Sequence, residues 1–384
     1  MHHSFSKNKG FGLVEIMVGV VIGMIASIIV FQVFEVTERQ KRIATGGADA
    51  QTNGAYALYM MERDIRMAGF GLENDVASKC EKGKLYSYYA DQKTPGPIEG
   101  LDAAASVMIE DGGTNPDQIY IVYYSNPADS TVSFPNYSQS IDKEMPLTSV
   151  EFKVSNVAGC KPGELAMVIQ DGNCTLFGIT KVSKTVKGEQ QIHHLTSDKD
   201  TDADLYNPKS NYKTANNWPV HTEGSSVRCG LKAPFVRRYH LQNQSLAYQD
   251  NGENGTKDSA GDYISVDLAP NTVELQAQYG VAKDASSTDI EDWVDAKGAW
   301  AKDSLTKENG KRIKALRIAV VARSSEYEKP DPGQTCFTTT ADTVSKWSDW
   351  ADLDAVKNIP DWQCYRYKTF ETVIPLRNVI WSGS

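Results

Sequence analysis

The reactive side chains of this sequence do not converge on one chemistry. His193 and His194 are adjacent in a segment that reads as a strand, where successive side chains point to opposite faces, so the pair is poorly placed to share a metal ion. Asp250-Asn251-Gly252-Glu253-Asn254-Gly255 has the outline of a calcium loop. Gly252 and Gly261, however, fall at its third and twelfth positions, where ligands are needed. Arg237-Arg238 is a basic doublet in the globular part and supports direct DNA binding only weakly. No nucleophile with a matching base and no set of metal ligands emerges, so no catalytic residue, metal or cofactor is assigned and no enzyme is expected.

Six cysteines, Cys80, Cys160, Cys174, Cys229, Cys336 and Cys364, form an even set without zinc-type spacing, which points to disulfides in an oxidising compartment. The segment between Cys160 and Cys174 holds Pro162-Gly163 and Asp171-Gly172 and can fold as a hairpin, so these two are expected to pair. Cys336–Cys364 would close a late excursion, which leaves Cys80 with Cys229. This is one of 15 connectivities that six cysteines allow.

The elements that position these residues begin with an apolar run. Phe11 to Phe34 contains a single ionisable group, Glu15, and as a helix it measures roughly 36 Å against a hydrocarbon core of about 30 Å. It is longer than a secretory signal core and lacks a small-residue cleavage site at its end. Lys7 and Lys9 precede it and Arg39, Lys41 and Arg42 follow, so flanking charge leaves the orientation open. The cysteines all lie after the span, which argues for a periplasmic C-terminal part and a cytoplasmic N-terminus. The remainder is globular in composition, with 40% hydrophobic and 23% charged residues, and its net charge of -9 gives no general attraction for nucleic acid or anionic lipid.

A carboxylate inside an apolar span costs about 2.5–3.5 kcal/mol near the helix centre and less near its end, so Glu15 calls for a partner. Its context, Lys9-Gly10-Phe11-Gly12-Leu13-Val14-Glu15, closely resembles the processing site of type IV prepilins and type II secretion pseudopilins. The resemblance implies that prepilin peptidase cuts between Gly10 and Phe11 and methylates the new Phe11 amine. It also implies that Glu15 meets the cationic N-terminus of a neighbouring subunit, which compensates both buried charges. Gly12 stands where Thr or Ser is common. Gly19 and Gly23 read as ordinary transmembrane glycines.

Beyond the span the helical spacing continues, with Gly54, Leu58, Met61, Ile65 and Ala68 on one stripe. Residues 11 to about 68 therefore read as one helix of roughly 85 Å, with a kink or fraying expected at Gly46-Gly47 and a stop at Gly69-Phe70-Gly71. Period-2 segments dominate afterwards: Gln118–Tyr124, Glu164–Ile169, Cys174–Val182, Pro234–Leu241, Thr272–Gly280, Ala315–Ala322 and Thr369–Leu376. Polar stretches at Thr196–Ser226, Asp250–Asp262, Lys283–Lys311 and Ser324–Asp361 read as loops. The expected fold is α+β: a long N-terminal transmembrane and stalk helix packed on a mainly antiparallel β-sheet domain. The organisation is a leader at 1–10, a membrane half at 11–34, an amphipathic half at 35–70 and a β-rich globular domain at 71–384.

Glu62-Arg63-Asp64-Ile65-Arg66, Val273-Glu274-Leu275-Gln276-Ala277-Gln278-Tyr279-Gly280, Ala315-Leu316-Arg317-Ile318-Ala319-Val320 and Phe370-Glu371-Thr372-Val373-Ile374-Pro375-Leu376-Arg377 resemble, in this order, the PilW family of minor pilins. That resemblance implies a subunit that primes pilus assembly near the tip, with other minor pilins, the major pilin and a tip adhesin as partners, in support of twitching, adhesion and DNA uptake. The location it implies is the inner membrane and then the pilus tip. Two alternatives stand beside it: a subunit like type II secretion pseudopilin J, and a DNA-binding module.

Overall fold

In the computed structural model the described residues are 12–70, 85–87, 96–97, 105–123, 138–140, 151–184, 190–194, 206–207, 221–231, 235–251, 255–330 and 333–382. Helix α1 (Leu13–Met67) runs unbroken for 55 residues, about 82 Å. Its first part, Leu13–Glu38, is long and apolar enough to cross a membrane and is not buried by any of the described residues. The expected stripe is buried, with Ala57, Met61, Ile65 and Ala68 in the main core and Leu58 against it. The helix is uninterrupted at Gly46-Gly47, and a Cβ on Gly46 would come within 3.2 Å of the Ser324 side chain. Gly69 adopts φ 76°, the left-handed stop that glycine accommodates, just after the last helical residue.

Strands β1 (Leu85–Ser87), β2 (Gly96–Pro97), β5 (Ser138–Ser140), β7 (Leu165–Gln170), β8 (Asn173–Gly178) and β11 (Ser226–Leu231) form one sheet in the order β2-β1-β8-β7-β11-β5. Beside it β6 (Glu151–Val154), β9 (Lys181–Lys184) and β10 (Gln190–His193) form a small sheet in the order β6-β10-β9. A five-stranded sheet follows the order β14-β13-β12-β4-β3, with β3 (Val107–Glu110), β4 (Gln118–Tyr123), β12 (Phe235–Gln242), β13 (Ser245–Asn251) and β14 (Ser265–Pro270). The last sheet, β16-β15-β17-β18, is built from β15 (Thr272–Val281), β16 (Asp292–Val294), β17 (Ile313–Arg323) and β18 (Tyr367–Pro375). Every described pairing is antiparallel except β1 with β8. The fold is therefore α+β, with α1 laid along the last sheet.

The single strand expected over Cys174–Val182 divides at Ile179-Thr180, and its two halves enter different sheets as β8 and β9. The Lys283–Lys311 stretch folds β16 and a short helix α2 (Lys307–Arg312), whose Thr306 side chain accepts from the Asn309 N–H as an N-cap. The late excursion, with helix α3 (Ala341–Val344), is packed rather than loose. Leu353, Val356, Trp347 and Trp350 cover Val273, Ala319 and Val321 on the sheet face turned away from α1. Helix α4 (Arg377–Ser382) closes the chain, and Asn378 Nδ2 donates to the Ala68 carbonyl at 2.9 Å.

Cys336–Cys364 forms as expected, but Cys160 pairs with Cys229 and not with Cys174. The hairpin itself exists, turning at Asp171-Gly172 with φ 46° and 79°, both left-handed as a two-residue turn of this type requires. Its strands nevertheless start at Leu165, and side-chain alternation decides the rest. Cys174 faces the main core with Met167 and Ile169, whereas Cys160 and Cys229 lie on the opposite face with Ala166, Val168 and Phe177. A bond from Cys160 to Cys174 would have to pass through the sheet. The expected Cys80–Cys229 pair is excluded with it; Cys174 is also disulfide-bonded, and Cys80 lies outside the described residues.

Gly54 faces the ring of Phe370 on β18, and a Cβ there would sit 2.1 Å from it. Gly54→Val should therefore separate helix from sheet at a cost of about 1–3 kcal/mol for overpacking. Thermal unfolding of the full chain would show the loss, and an unchanged midpoint would contradict this packing.

Candidate functional site: the helix-to-sheet junction

The strongest polar assembly lies where the top of α1 meets the five-stranded sheet. Asp64 sits on the buried stripe of α1 and is 2% exposed. Arg237 Nη1 donates to Asp64 Oδ2 at 2.7 Å, and the Tyr239 hydroxyl donates to the same oxygen at 2.6 Å. Arg63 Nε reaches Asp64 Oδ1 at 3.2 Å. Arg237 also grips Asp250 with both arms, Nε to Oδ1 at 2.7 Å and Nη2 to Oδ2 at 2.9 Å, and its guanidinium lies 4.2 Å from the Tyr248 ring centroid. Strand alternation places Arg237 and Tyr239 on one face of β12, and the register puts Asp250 directly opposite Arg237 on β13. Burial alone would weaken the Arg237 cation, yet the Asp250 and Asp64 carboxylates hold its pKa above the usual range. Burial raises the Tyr239 pKa, and Asp64 raises it further.

This arrangement explains two features of the sequence. Arg237 of the basic doublet is held by two carboxylates, so it is not available as a phosphate contact. Asp250, the first residue of the supposed calcium loop, holds an arginine, while residues 252–254 lie outside the described part. Among the described residues no group of three His, Cys, Asp or Glu side chains is placed to hold a metal ion. His193 and His194 do point to opposite faces: His193 Nε2 lies 2.8 Å from Ser183 Oγ, whereas His194 is buried beside Phe152 and Phe177.

A second buried polar group was hidden by the alternation of β15. Of its polar positions, Thr272 and Glu274 are fully buried, whereas Gln276 and Gln278 stay partly exposed. Glu274 is fully buried; its Oε1 accepts from the Leu275 N–H at 3.0 Å and Gln276 Nε2 at 3.2 Å, while Oε2 has no hydrogen-bond partner. Burial pushes its pKa up to about 8; the two hydrogen bonds oppose the shift and the Asp117 and Asp352 charges add to it. Asp117 fills the edge of β15 that β16 is too short to cover. Its N–H donates to the Leu275 carbonyl, and its carboxylate accepts from the Ala277 and Gly112 N–H groups at 2.8 Å each. Burial raises its pKa to about 6.

At the other end of the chain, Glu15 lies in the first turn of α1, where its Oε2 accepts from the Gly12 N–H at 3.2 Å. A carboxylate suits this position, since the first turn of a helix leaves N–H groups without intrahelical partners. Gly10 and Phe11 lie outside the described residues.

Residues 235–378 match the family described as Type IV Pilus-assembly protein W, and residues 5–31 match the Prokaryotic N-terminal methylation motif. Over residues 235–378 this chain resembles the PilW family. No curated protein and no solved structure matches it. The matched PilW region starts at β12 and runs into α4, so it holds Arg237, Asp250, Glu274 and the whole sheet against which α1 packs. Asp64 lies between the two matched stretches and joins the helix that begins in one to β12, the strand with which the other begins. The chain has a type IV pilus-related role and a membrane-anchoring helix.

Two outcomes follow for the globular domain. Asp64→Ala removes one charged partner each from Arg237 and Tyr239 and should cost about 1.5–3 kcal/mol for each bond lost, read as a lower unfolding midpoint. Between about 6.5 and 8, above the range in which the buried His221 adds stability with rising pH, stability should decline as pH rises, because the folded state keeps the Glu274 proton that the unfolded chain releases. Glu274→Gln should flatten that slope in pH-dependent denaturation; between about 4 and 6 the Asp117 and His221 contributions oppose one another. A wild-type slope of the opposite sign would refute the assignment.

Proposed function

We propose that this protein is a non-enzymatic minor pilin of the PilW family that primes type IV pilus assembly and forms part of the tip complex, in support of twitching motility, adhesion and DNA uptake. The observation that carries the reading is the continuity of α1. A bare apolar half and a half locked into the core are one helix, so whatever the membrane half packs against sets the position of the whole globular domain.

In this mechanism prepilin peptidase frees and methylates Phe11 at the Gly10–Phe11 bond. The helices of neighbouring subunits then associate side by side. Glu15, which caps its own helix in the single chain, exchanges the Gly12 N–H for the Phe11 amine of a neighbour. In a low-dielectric setting this pairing favours one register, because a shifted neighbour leaves both charges uncompensated. The globular surface selects other minor pilins, the major pilin and the tip adhesin, with the C-terminal part on the periplasmic side before assembly. Commitment of Arg237 to Asp64 and Asp250 weighs against the DNA-binding module.

Mass spectrometry of membrane-extracted protein should find a chain that starts at Phe11 and carries one added methyl group. Glu15→Ala should still insert in the membrane but be lost from sheared pili, and normal incorporation of that variant would refute the role given to Glu15. Deletion should abolish twitching; loss of protein export with twitching intact would instead identify a pseudopilin J-like subunit.

A further inference from the structure

The two edges of the last sheet differ in how their main-chain groups are met. On the β15 side the Asp117 N–H donates to the Leu275 carbonyl, Asp117 Oδ2 accepts from the Ala277 N–H at 2.8 Å, and the Glu291 N–H donates to the Val281 carbonyl. The opposite edge is β18, which pairs with β17 from Tyr367↔Arg323 to Pro375↔Ala315 without a shift of register. Just beyond each end, the Ser324 N–H donates to the Arg366 carbonyl and the Leu376 N–H to the Lys314 carbonyl, and both bonds join directly opposed residues. In an antiparallel pair such bonded positions alternate with positions whose N–H and C=O point away from the partner strand. Lys368, Phe370, Thr372 and Ile374 therefore bond to β17, whereas Tyr367, Thr369, Glu371 and Val373 turn their N–H and C=O groups to the free edge. Among the described residues no strand pairs with that edge. It stops at Pro375, which has no N–H to offer.

Such an edge is a template for one more strand, since a row of main-chain donors and acceptors is matched in spacing by another main chain. A second copy of this chain does not fit it. α1 and β18 run in the same sense, because Gly54 meets Phe370 and, further along both elements, the Ala68 carbonyl accepts from Asn378. Antiparallel pairing of two β18 edges would point their α1 helices in opposite directions, which two spans anchored alike in one membrane do not allow. Parallel pairing about a two-fold axis would set each residue opposite itself, whereas a parallel ladder needs a residue that faces the partner opposite one that faces away. The occupant is therefore a different chain, and the edge side chains state its chemistry. Glu371 is exposed and forms no ion pair among the described residues; nearby Arg317 turns Nε and Nη2 to Gln278 Oε1 instead. Val373, on the same face of β18, is 52% exposed.

We propose that the free edge of β18 takes an extended segment of a different pilin subunit as a further strand, with Lys or Arg beside Glu371 and an apolar residue beside Val373. This rests on the reading of the chain as a minor pilin and names the surface through which it meets one partner. The main-chain groups give the pairing its affinity, and the two side chains give it its choice of partner.

The test is residue-resolved hydrogen exchange on the full chain, alone in detergent and in the complex co-extracted with other minor pilins. The Thr369, Glu371 and Val373 amides should exchange rapidly in the chain alone and about tenfold more slowly in the complex, while the Phe370 and Thr372 amides stay protected in both. Glu371→Pro removes one outward N–H and none from the β17 ladder, so it should keep the unfolding midpoint and lower co-extraction about tenfold. Glu371→Ala keeps the N–H and should lower co-extraction less. Slow exchange of the three outward amides in the chain alone would mean that the edge is already covered, and rapid exchange in an intact complex would mean that the partner binds elsewhere. Either result overturns the proposal and leaves the minor-pilin reading in place. Failure of the chain to form a complex with any pilin subunit would remove that reading, and this inference with it.

Discussion

Asp64 imposes the constraint on which the rest of the architecture depends. A carboxylate on the buried stripe of a helix is tolerable only where a cation and a hydroxyl meet it, and Arg237 and Tyr239 of β12 supply both. Because Arg237 is itself fixed by Asp250 on β13, the helix is docked at a defined rotation and height. A purely apolar stripe would permit the helix to slide by a turn with modest loss. Directional bonds to one oxygen make such a slide costly, as each displaced partner becomes a buried group without its mate.

That rigidity matters for a chain whose helix has two environments. The apolar half has no partner among the described residues, and the other half forms one side of the main core. With no break at Gly46-Gly47 and with Gly54 seated against Phe370, lateral contacts made by the apolar half are transmitted to the sheets as a rigid-body placement. The same geometry gives the domain one pole toward the apolar half of α1 and one pole away from it.

The last sheet shows how a covered second face changes the chemistry of ordinary residues. Thr272–Val281 alternates as a strand with one wet face, yet the late excursion and its Trp347, Trp350, Leu353 and Val356 side chains dry that face. Glu274 then becomes a buried acid near two other acids, Asp117 and Asp352, and burial raises its pKa. The disulfides follow a similar logic. Cys160 and Cys174 are near in sequence and separated by a sheet, whereas Cys229 is distant in sequence and shares a face with Cys160.

By itself the sequence determined the local features: the apolar span, the prepilin-like start with Glu15 in its first turn, the stripe of Met61 and Ile65, the left-handed stop at Gly69, and most of the strands that alternate with period 2. These depend on neighbours within a few residues, so spacing and side-chain type suffice to reveal them. Tertiary structure alone decided that Arg237 answers Asp64 across 173 positions of chain, that Glu274 faces protein instead of water, and that Cys160 selects Cys229. The physical reason is common to all three. Burial and pairing are set by which faces the sheets turn toward each other, and a strand's alternation marks its two faces without saying what will cover either one.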